Sequence, residues 1–167
     1  ALVYGALCVA LSFMLSYIKL FSLPMGGSLT LCSMLPIAAY ACAFGPLYGF
    51  VAGLAFGMLQ LIQDFYVIHW AQLLLDYFFA FACYGIAAYF PNKLTLGIAV
   101  AGLCRMLCST LSGGIFFADS AVDAGWSNAW LYSLAYNGST IGAETVLCVL
   151  VSLLPPVKKV LGLMKSE

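Results

Sequence analysis

A carboxylate and many aromatic rings in this sequence could together bind an organic cation. Asp76 lies in the stretch QLLLDYFFAFACYG, residues 72 to 85, where an unpaired charge buried in hydrocarbon is costly. A carboxylate beside ring faces offers charge pairing, cation–π attraction and stacking. Aromatic belts at membrane interfaces would account for many of the same rings. The rings from the neighbouring segments are Tyr66, His69, Trp70, Tyr77, Phe78, Phe79, Phe116, Phe117, Trp126, Trp130, Tyr132 and Tyr136.

The elements that position these residues are predicted to be membrane helices. The 167 residues are 65% hydrophobic and 7% charged, whereas soluble domains are about a quarter charged. The apolar runs predict an all-α polytopic membrane protein with six transmembrane helices in a single domain, residues 1–167. We expect a tight hairpin around FGPLYG, because the second and third runs are short of the roughly 20 residues that span a bilayer. The runs are 1–21, 29–44, 47–62, 70–90, 94–117 and 130–154.

The motifs of several enzyme classes are missing from the sequence. It has no HExxH, no phosphate-cradling Gly loop and no Walker motif, and its seven cysteines lack CxxC spacing. We therefore expect a protein that is not an enzyme, without a metal or cofactor and without a nucleic-acid partner.

The start of the chain does not resemble a cleavable signal. Because the chain opens at Ala1 without Met, we expect a short N-terminal segment to precede it.

Positive residues predict the orientation in the membrane, since they tend to stay cytoplasmic beside helix ends. Lys158, Lys159 and Lys165 follow the sixth run, and Lys93 lies between the fourth and fifth. Both termini are then cytoplasmic, and the loops at 22–28, 63–69 and 118–129 face outward. Lys19 disagrees with this pattern, although a long Lys side chain can snorkel to the interface.

Depth along the helices separates the polar residues into two layers. At 1.5 Å per residue, a first group lies within ~12 Å of the outer face; it comprises Asp76, Ser109, Ser112, Gly113, Tyr132 and Asn137. Arg105 and Glu144 lie deeper, at ~18 and ~21 Å. We interpret these two as an ion pair, with a functional role or an Arg105–Asp76 pair as alternatives. Asp76 itself faces either a ligand cation or Lys19.

Small residues and outer loops leave three further questions open. Gly45, Gly49, Gly53 and Gly57 form a stripe that predicts close helix packing. A small pair in the first run, Ala6 and Ala10, serves either internal packing or docking to another membrane protein. His69 is either a pocket wall or a solvated loop residue. The MGGS segment at 25–28 is interpreted as a flexible outer loop that could cover the pocket.

Four segments in the same order resemble one transporter family. LPMGGSLTLCSMLPI, QLLLDYFFAFACYG, STLSGGIFF and AWLYSLAYNGS resemble the thiamine-specific S-component of bacterial energy-coupling factor (ECF) vitamin transporters. The resemblance runs from Ala6 to about Glu144. It implies a six-helix fold in the cell membrane that binds thiamine from outside. It also implies partners: an ECF module of two cytoplasmic ATPases and a transmembrane coupling protein.

The resemblance assigns site residues one by one. The acidic-Tyr pair falls on Asp76 and Tyr77, and Asp76 is expected to face the thiazolium ring. Ala6 and Ala10 match the small-residue motif that docks the coupling protein. The other binding positions fall on Tyr66, Ser109, Gly113, Phe117, Tyr132 and Asn137.

The chain departs from the family pattern at three positions. Some family members carry Trp at the position of Phe117, His at Ser109, and an aromatic residue near Gly27. A Trp or Tyr elsewhere in the chain is therefore expected to close the pocket. Rival interpretations are an S-component for another vitamin, such as riboflavin, or for a thiamine precursor, and a membrane scaffold subunit without a ligand.

Overall fold

The computed structural model describes residues 1–166, which form eight helices and two short strands. The helices are α1 (Leu2–Ser16), α2 (Leu35–Phe44), α3 (Pro46–Gln63), α4 (Trp70–Tyr89), α5 (Leu94–Phe116), α6 (Ala118–Asp123), α7 (Ala129–Ser152) and α8 (Pro155–Lys165). The strands are β1 (Lys19–Ser22) and β2 (Ser28–Thr30).

The prediction of an all-α membrane protein is confirmed. Four helices, α3, α4, α5 and α7, are long and apolar enough to cross a membrane, and α1 and α2 are shorter apolar helices. These six correspond to the six predicted runs. The described fold has eight helices in all, because α6 lies in the predicted outer loop 118–129 and α8 follows Leu154. Pro155 begins α8, a position that suits proline because the first helical N–H needs no partner.

The segment between α1 and α2 corrects two predicted boundaries. The first run was expected to stay helical to Phe21, but α1 ends at Ser16 and β1 follows. The second was expected to begin at Leu29, but that residue lies in β2 and α2 begins at Leu35. The strands pair antiparallel across a turn in which Gly26 has a φ of +84°. Short apolar runs do not by themselves distinguish strand from helix.

Helix α2 lies at the centre of the fold. Its residues 37–42 are all buried, and they join the main hydrophobic cluster of the protein. The chain then reverses at Gly45, whose φ of +103° suits a residue without a side chain. Because α2 ends at Phe44 and α3 begins at Pro46, the predicted hairpin around FGPLYG is confirmed.

Three glycines of the predicted stripe, Gly49, Gly53 and Gly57, pack within the protein, whereas Gly45 precedes α3 and has no neighbour within 4 Å of a Cβ position. A Cβ at Gly53 would collide with the carbonyl oxygen of Phe81, and one at Gly57 would collide with that of Tyr77. Both carbonyls belong to α4. The stripe therefore lets α3 approach the backbone of α4 closely, just where α4 carries the candidate site.

Two of the long helices widen locally to π-helical geometry. The stretch in α4 is Leu74–Phe79, which contains Asp76 and Tyr77. The stretch in α7 is Gly138–Gly142, which directly follows Asn137. π-Helical turns are often found at functional sites, because the extra residue turns neighbouring side chains to new directions.

Candidate ligand-binding site

A cavity of about 150 Å³ lies between α3, α4, α5, α7 and the β1–β2 hairpin. All eight residues proposed from the sequence as binding residues line it: Tyr66, Asp76, Tyr77, Ser109, Gly113, Phe117, Tyr132 and Asn137. They come from three helices and two loops that are far apart in sequence. The fold thus brings the predicted set together at one place.

Asp76 reaches this cavity with neutral hydrogen-bond partners. Its Oδ2 accepts a bond of 2.8 Å from Gln72 Nε2 and one of 2.7 Å from Ser112 Oγ. Within residues 1–166, no Lys or Arg nitrogen lies within 4.0 Å of this carboxylate. The alternative that Asp76 pairs with Lys19 is wrong, because Lys19 Nζ contacts Asp64 Oδ2 at 2.7 Å instead.

Aromatic rings form one wall of the cavity. Tyr66 and Phe117 stack with their centroids 5.9 Å apart and their planes 23° from parallel. The Tyr77 hydroxyl donates to the Asp64 carbonyl oxygen at 2.6 Å and accepts from the Tyr66 N–H at 3.3 Å. Tyr77 therefore holds the loop that carries Tyr66, so its hydroxyl is engaged within the protein.

A second part of the lining comes from the contact between α5 and α7. Asn137 is buried, and its Nδ2 donates to the Ser133 carbonyl oxygen at 3.0 Å. Gly113 lies against Ser133, and a Cβ at this position would collide with the Ser133 hydroxyl. Gly113 thus keeps the two helices close, while Ser109 is buried one turn further along α5.

The floor of the cavity contains the two ionised residues that were placed in a deeper, separate layer. Arg105 NH1 lies 3.5 Å from Glu144 Oε2, so the predicted ion pair is present. Both residues nevertheless line the same cavity as Asp76, so their position further along the helices does not exclude them from it. Arg105 also donates to the Tyr84 hydroxyl and lies 4.4 Å from the centroid of the Phe81 ring.

Glu144 joins this floor to the end of the hairpin. Its Oε1 accepts bonds from Thr30 Oγ1 at 2.6 Å, Ser33 Oγ at 2.7 Å and the Ser33 N–H at 2.9 Å. The Glu144 side chain is only 2% exposed. A buried carboxylate with this many donors and a cation is well satisfied, so Glu144 fixes the segment after β2 against α7.

The 24–27 turn of the hairpin contacts α7, and its residues 25–27 line the cavity. The Gly27 N–H donates to Tyr136 Oη at 2.9 Å, and the Tyr136 hydroxyl donates to the Pro24 carbonyl oxygen. A Cβ at Gly27 would collide with the Tyr136 ring. Tyr136, an aromatic residue distant in sequence, therefore lies directly against Gly27.

Sequence reasoning omitted Gln72, Ser112 and Tyr136 from the proposed binding set. Gln72 precedes Asp76 by one helical turn, a spacing that places two side chains on the same face and could have indicated the contact. Ser112 shares the predicted outer layer with Asp76. Tyr136 was among the aromatic rings named from the sequence, but its contacts with Pro24 and Gly27 had no local signal because those residues are distant in sequence.

Three other predicted positions lie away from the cavity. His69 precedes α4, where its Nδ1 accepts from the Ala71 N–H at 3.1 Å, and it is an exposed loop residue rather than a pocket wall. Ala6 and Ala10 lie on the exposed face of α1. Among the described residues, none packs closely over this alanine pair, so internal packing does not explain it.

The fold defines an all-α membrane protein whose helices enclose a cavity lined by carboxylates, stacked rings and amide or hydroxyl groups. Residues 2–163 match the family described as Thiamine transporter protein (Thia_YuaJ). A similar curated protein is the Thiamine transporter ThiT of Bacillus subtilis (strain 168), which is 31% identical over 147 residues, or 78% of this chain and 75% of that protein. The chain belongs to the thiamine transporter family.

A solved structure of ThiT from Listeria monocytogenes has the same fold. The two structures superpose with a TM-score of 0.78 at 20% identity, over 99% of this chain and 93% of that one. Because the identity is low, this likeness supports the arrangement of the helices alone.

Proposed function

We propose that this chain binds thiamine in the cavity and is the S-component of an ECF-type transporter for thiamine uptake. Membership of the thiamine transporter family supports thiamine as the substrate. On this proposal the protein is a single six-span domain of the bacterial cell membrane, it is not an enzyme, and its lysine-rich C-terminal end is cytoplasmic. Hydrolysis of ATP belongs to separate partner subunits.

The observation that carries the proposal is that the Asp76 carboxylate lines the cavity with only neutral hydrogen-bond partners. A buried or half-buried carboxylate that lacks a cation is normally costly. Thiamine carries a permanent positive charge on its thiazolium ring, which would supply the missing cation when it binds. The stacked Tyr66 and Phe117 rings offer a flat aromatic surface beside this charge.

The remaining polar groups of the cavity can orient the rest of such a molecule. Asn137 and the Tyr132 hydroxyl provide hydrogen-bonding groups on the α7 side of the cavity. Ser109 lies beside them on α5. Two ends of a flat heteroaromatic cation would then be held by different helices, which favours one orientation.

Partners and release are also part of this proposal. The exposed Ala6 and Ala10 on α1 would dock the transmembrane coupling protein, since small residues allow close approach of another helix. Thiamine would enter from outside, and the 24–27 turn would close over it. An ATP-driven rearrangement of the module would then release thiamine inward.

Titration of the purified protein with thiamine and with riboflavin tests the ligand. We expect thiamine to bind with a Kd well below micromolar and riboflavin to bind much more weakly, because a neutral flavin leaves Asp76 without a cation. Tight riboflavin binding with weak thiamine binding would reject the proposal. Mass spectrometry of the ligand that co-purifies from cells provides an independent answer.

A further inference from the structure

A second cleft opens at the opposite end of the helices from the ligand cavity. Its volume is about 710 Å³, and it lies between the α4–α5 loop, the first turn of α5, the end of α7 and α8. Leu94 of α5 lines this cleft, whereas Ser109 of the same helix lines the ligand cavity. At 1.5 Å per residue these two positions are ~22 Å apart, so the two sites are separate.

Lysines concentrate around this cleft. Lys93, Lys158 and Lys165 line it, although the whole chain has only 6 Lys and Arg residues. Within residues 1–166, no acidic side chain lies within 4.0 Å of Lys93 or Lys158. Lys165 Nζ donates to the Pro91 carbonyl oxygen, which holds its charge at the cleft. The cleft thus has a positive field suited to an anion.

Backbone N–H groups add to the same field. The 23-residue helix α5 begins at Leu94, and no side chain caps its first turn. Leu94, Thr95 and Leu96 of that turn all line the cleft. Uncapped N–H groups at the start of a long helix favour a negatively charged group, and phosphate is a frequent ligand of such positions.

The surroundings of the cleft are apolar and exposed. Leu96 of α5 lines the cleft and is 44% exposed, and Ala99, Val149 and Leu161 line it as well. In a membrane protein such side chains contact lipid tails. A ligand with a phosphate and hydrocarbon chains would satisfy both the lysines and this surface.

We propose that the cleft binds the phosphate of an anionic phospholipid, with Lys93 and Lys158 pairing with it and the first turn of α5 donating hydrogen bonds. This site goes beyond thiamine uptake and does not depend on it. Free phosphate shares the same chemistry and is the alternative source of the ligand. Anionic lipids of the cytoplasmic leaflet are attracted to clustered lysines close to the membrane surface.

Native mass spectrometry of the detergent-purified full chain tests the proposal. Phosphatidylglycerol and phosphatidylcholine with identical acyl chains are added in turn, and inorganic phosphate is added in excess in a third experiment. We expect one phosphatidylglycerol to be retained in preference to phosphatidylcholine, and inorganic phosphate not to displace it. If the unmodified chain retains the two lipids equally, or if inorganic phosphate displaces the phosphatidylglycerol, the proposal is overturned.

Substitutions then locate the site. The double variant Lys93→Gln and Lys158→Gln should lower phosphatidylglycerol retention by about tenfold or more, since each lysine near the surface contributes roughly fivefold. Lys159→Gln is the matched control, because Lys159 is exposed on the same helix but does not line the cleft. Arginines at positions 93 and 158 should preserve retention. An equal loss in Lys159→Gln would indicate diffuse surface charge and contradict a specific site.

Discussion

At the scale of single residues, the proposed function assigns to Asp76 the choice between cationic and neutral ligands. Its hydrogen bonds from Gln72 and Ser112 orient the carboxylate without neutralising it. A cationic ligand therefore gains a charge-assisted contact that a neutral one cannot make.

Asp76→Asn should weaken thiamine binding by about 10- to 100-fold, since a hydrogen bond or close contact to a charged group contributes about 1.5–3 kcal/mol. Isothermal titration of the purified variant measures the change. Asp119→Asn is the control, because Asp119 is acidic and lies in α6 but does not line the cavity.

Asn137→Ala should also weaken thiamine binding, since it removes the amide from the α7 wall. Its thermal unfolding is measured in parallel, because Asn137 Nδ2 also bonds to the Ser133 carbonyl oxygen. If Asp76→Asn and Asn137→Ala both bound thiamine as the unmodified chain does, the ligand pocket would be rejected in favour of a scaffold subunit.

Between elements, the hairpin, α4 and α7 determine the shape of the cavity. Glu144 fixes the segment after β2, and Tyr136 holds the 24–27 turn above it. The close packing of α3 on α4 supports the π-helical stretch that carries Asp76. Two predictions follow from these contacts.

Opening of the 24–27 turn should depend on Tyr136. A cysteine in place of Ser28, which lines the cavity, should react with a thiol reagent more slowly when thiamine is bound. Adding Tyr136→Phe to this cysteine variant should raise the rate of the thiol reaction in the absence of thiamine. The phenylalanine lacks the hydroxyl that bonds to Pro24 and Gly27. Gly27 is unsuitable for the label because a Cβ there meets the Tyr136 ring. The chain without the Ser28 substitution corrects for its own cysteines, and equal rates with and without thiamine would exclude closure.

Gly53→Ala should destabilise the protein by about 1–3 kcal/mol, because the added methyl group overpacks the contact with the Phe81 carbonyl oxygen in α4. Thermal unfolding in detergent reports the loss. Gly138→Ala is the matched control, since nothing lies within 4 Å of a Cβ at that helical position. A midpoint for Gly53→Ala equal to that of the control would show that the α3–α4 contact tolerates a side chain.

For the whole molecule, the exposed face of α1 is the proposed contact with the coupling protein. Ala6 and Ala10 lie there beside Val3 and Leu7, which are 71% and 61% exposed. This face is apart from the ligand cavity, so binding and assembly can be measured separately.

Replacing Ala6 and Ala10 with Leu should abolish co-purification of the chain with the ECF module while thiamine binding stays unchanged. The larger side chains prevent the close helix approach that small residues allow. Ala135→Leu is the control, because Ala135 is exposed on α7 and does not line the cavity. Retained assembly in the Ala6 and Ala10 variant would move the docking surface elsewhere.

The sequence by itself determined the membrane class, the helical fold and the residue types of the candidate site. Long apolar runs predict helices because a lipid environment requires internal hydrogen bonding, and Asp76 is conspicuous in such a run because charge is costly there. The hairpin around Gly45 was predictable from the short flanking runs and the glycine itself.

The tertiary structure alone decided which polar groups meet. Depth along a helix gives no rotation about its axis, so Arg105 and Glu144 were separated from a cavity that they in fact line. The pairing of Lys19 with Asp64 and of Tyr136 with Gly27 joins segments distant in sequence. Such contacts depend on how helices pack and where they widen, which no local pattern of hydrophobicity encodes.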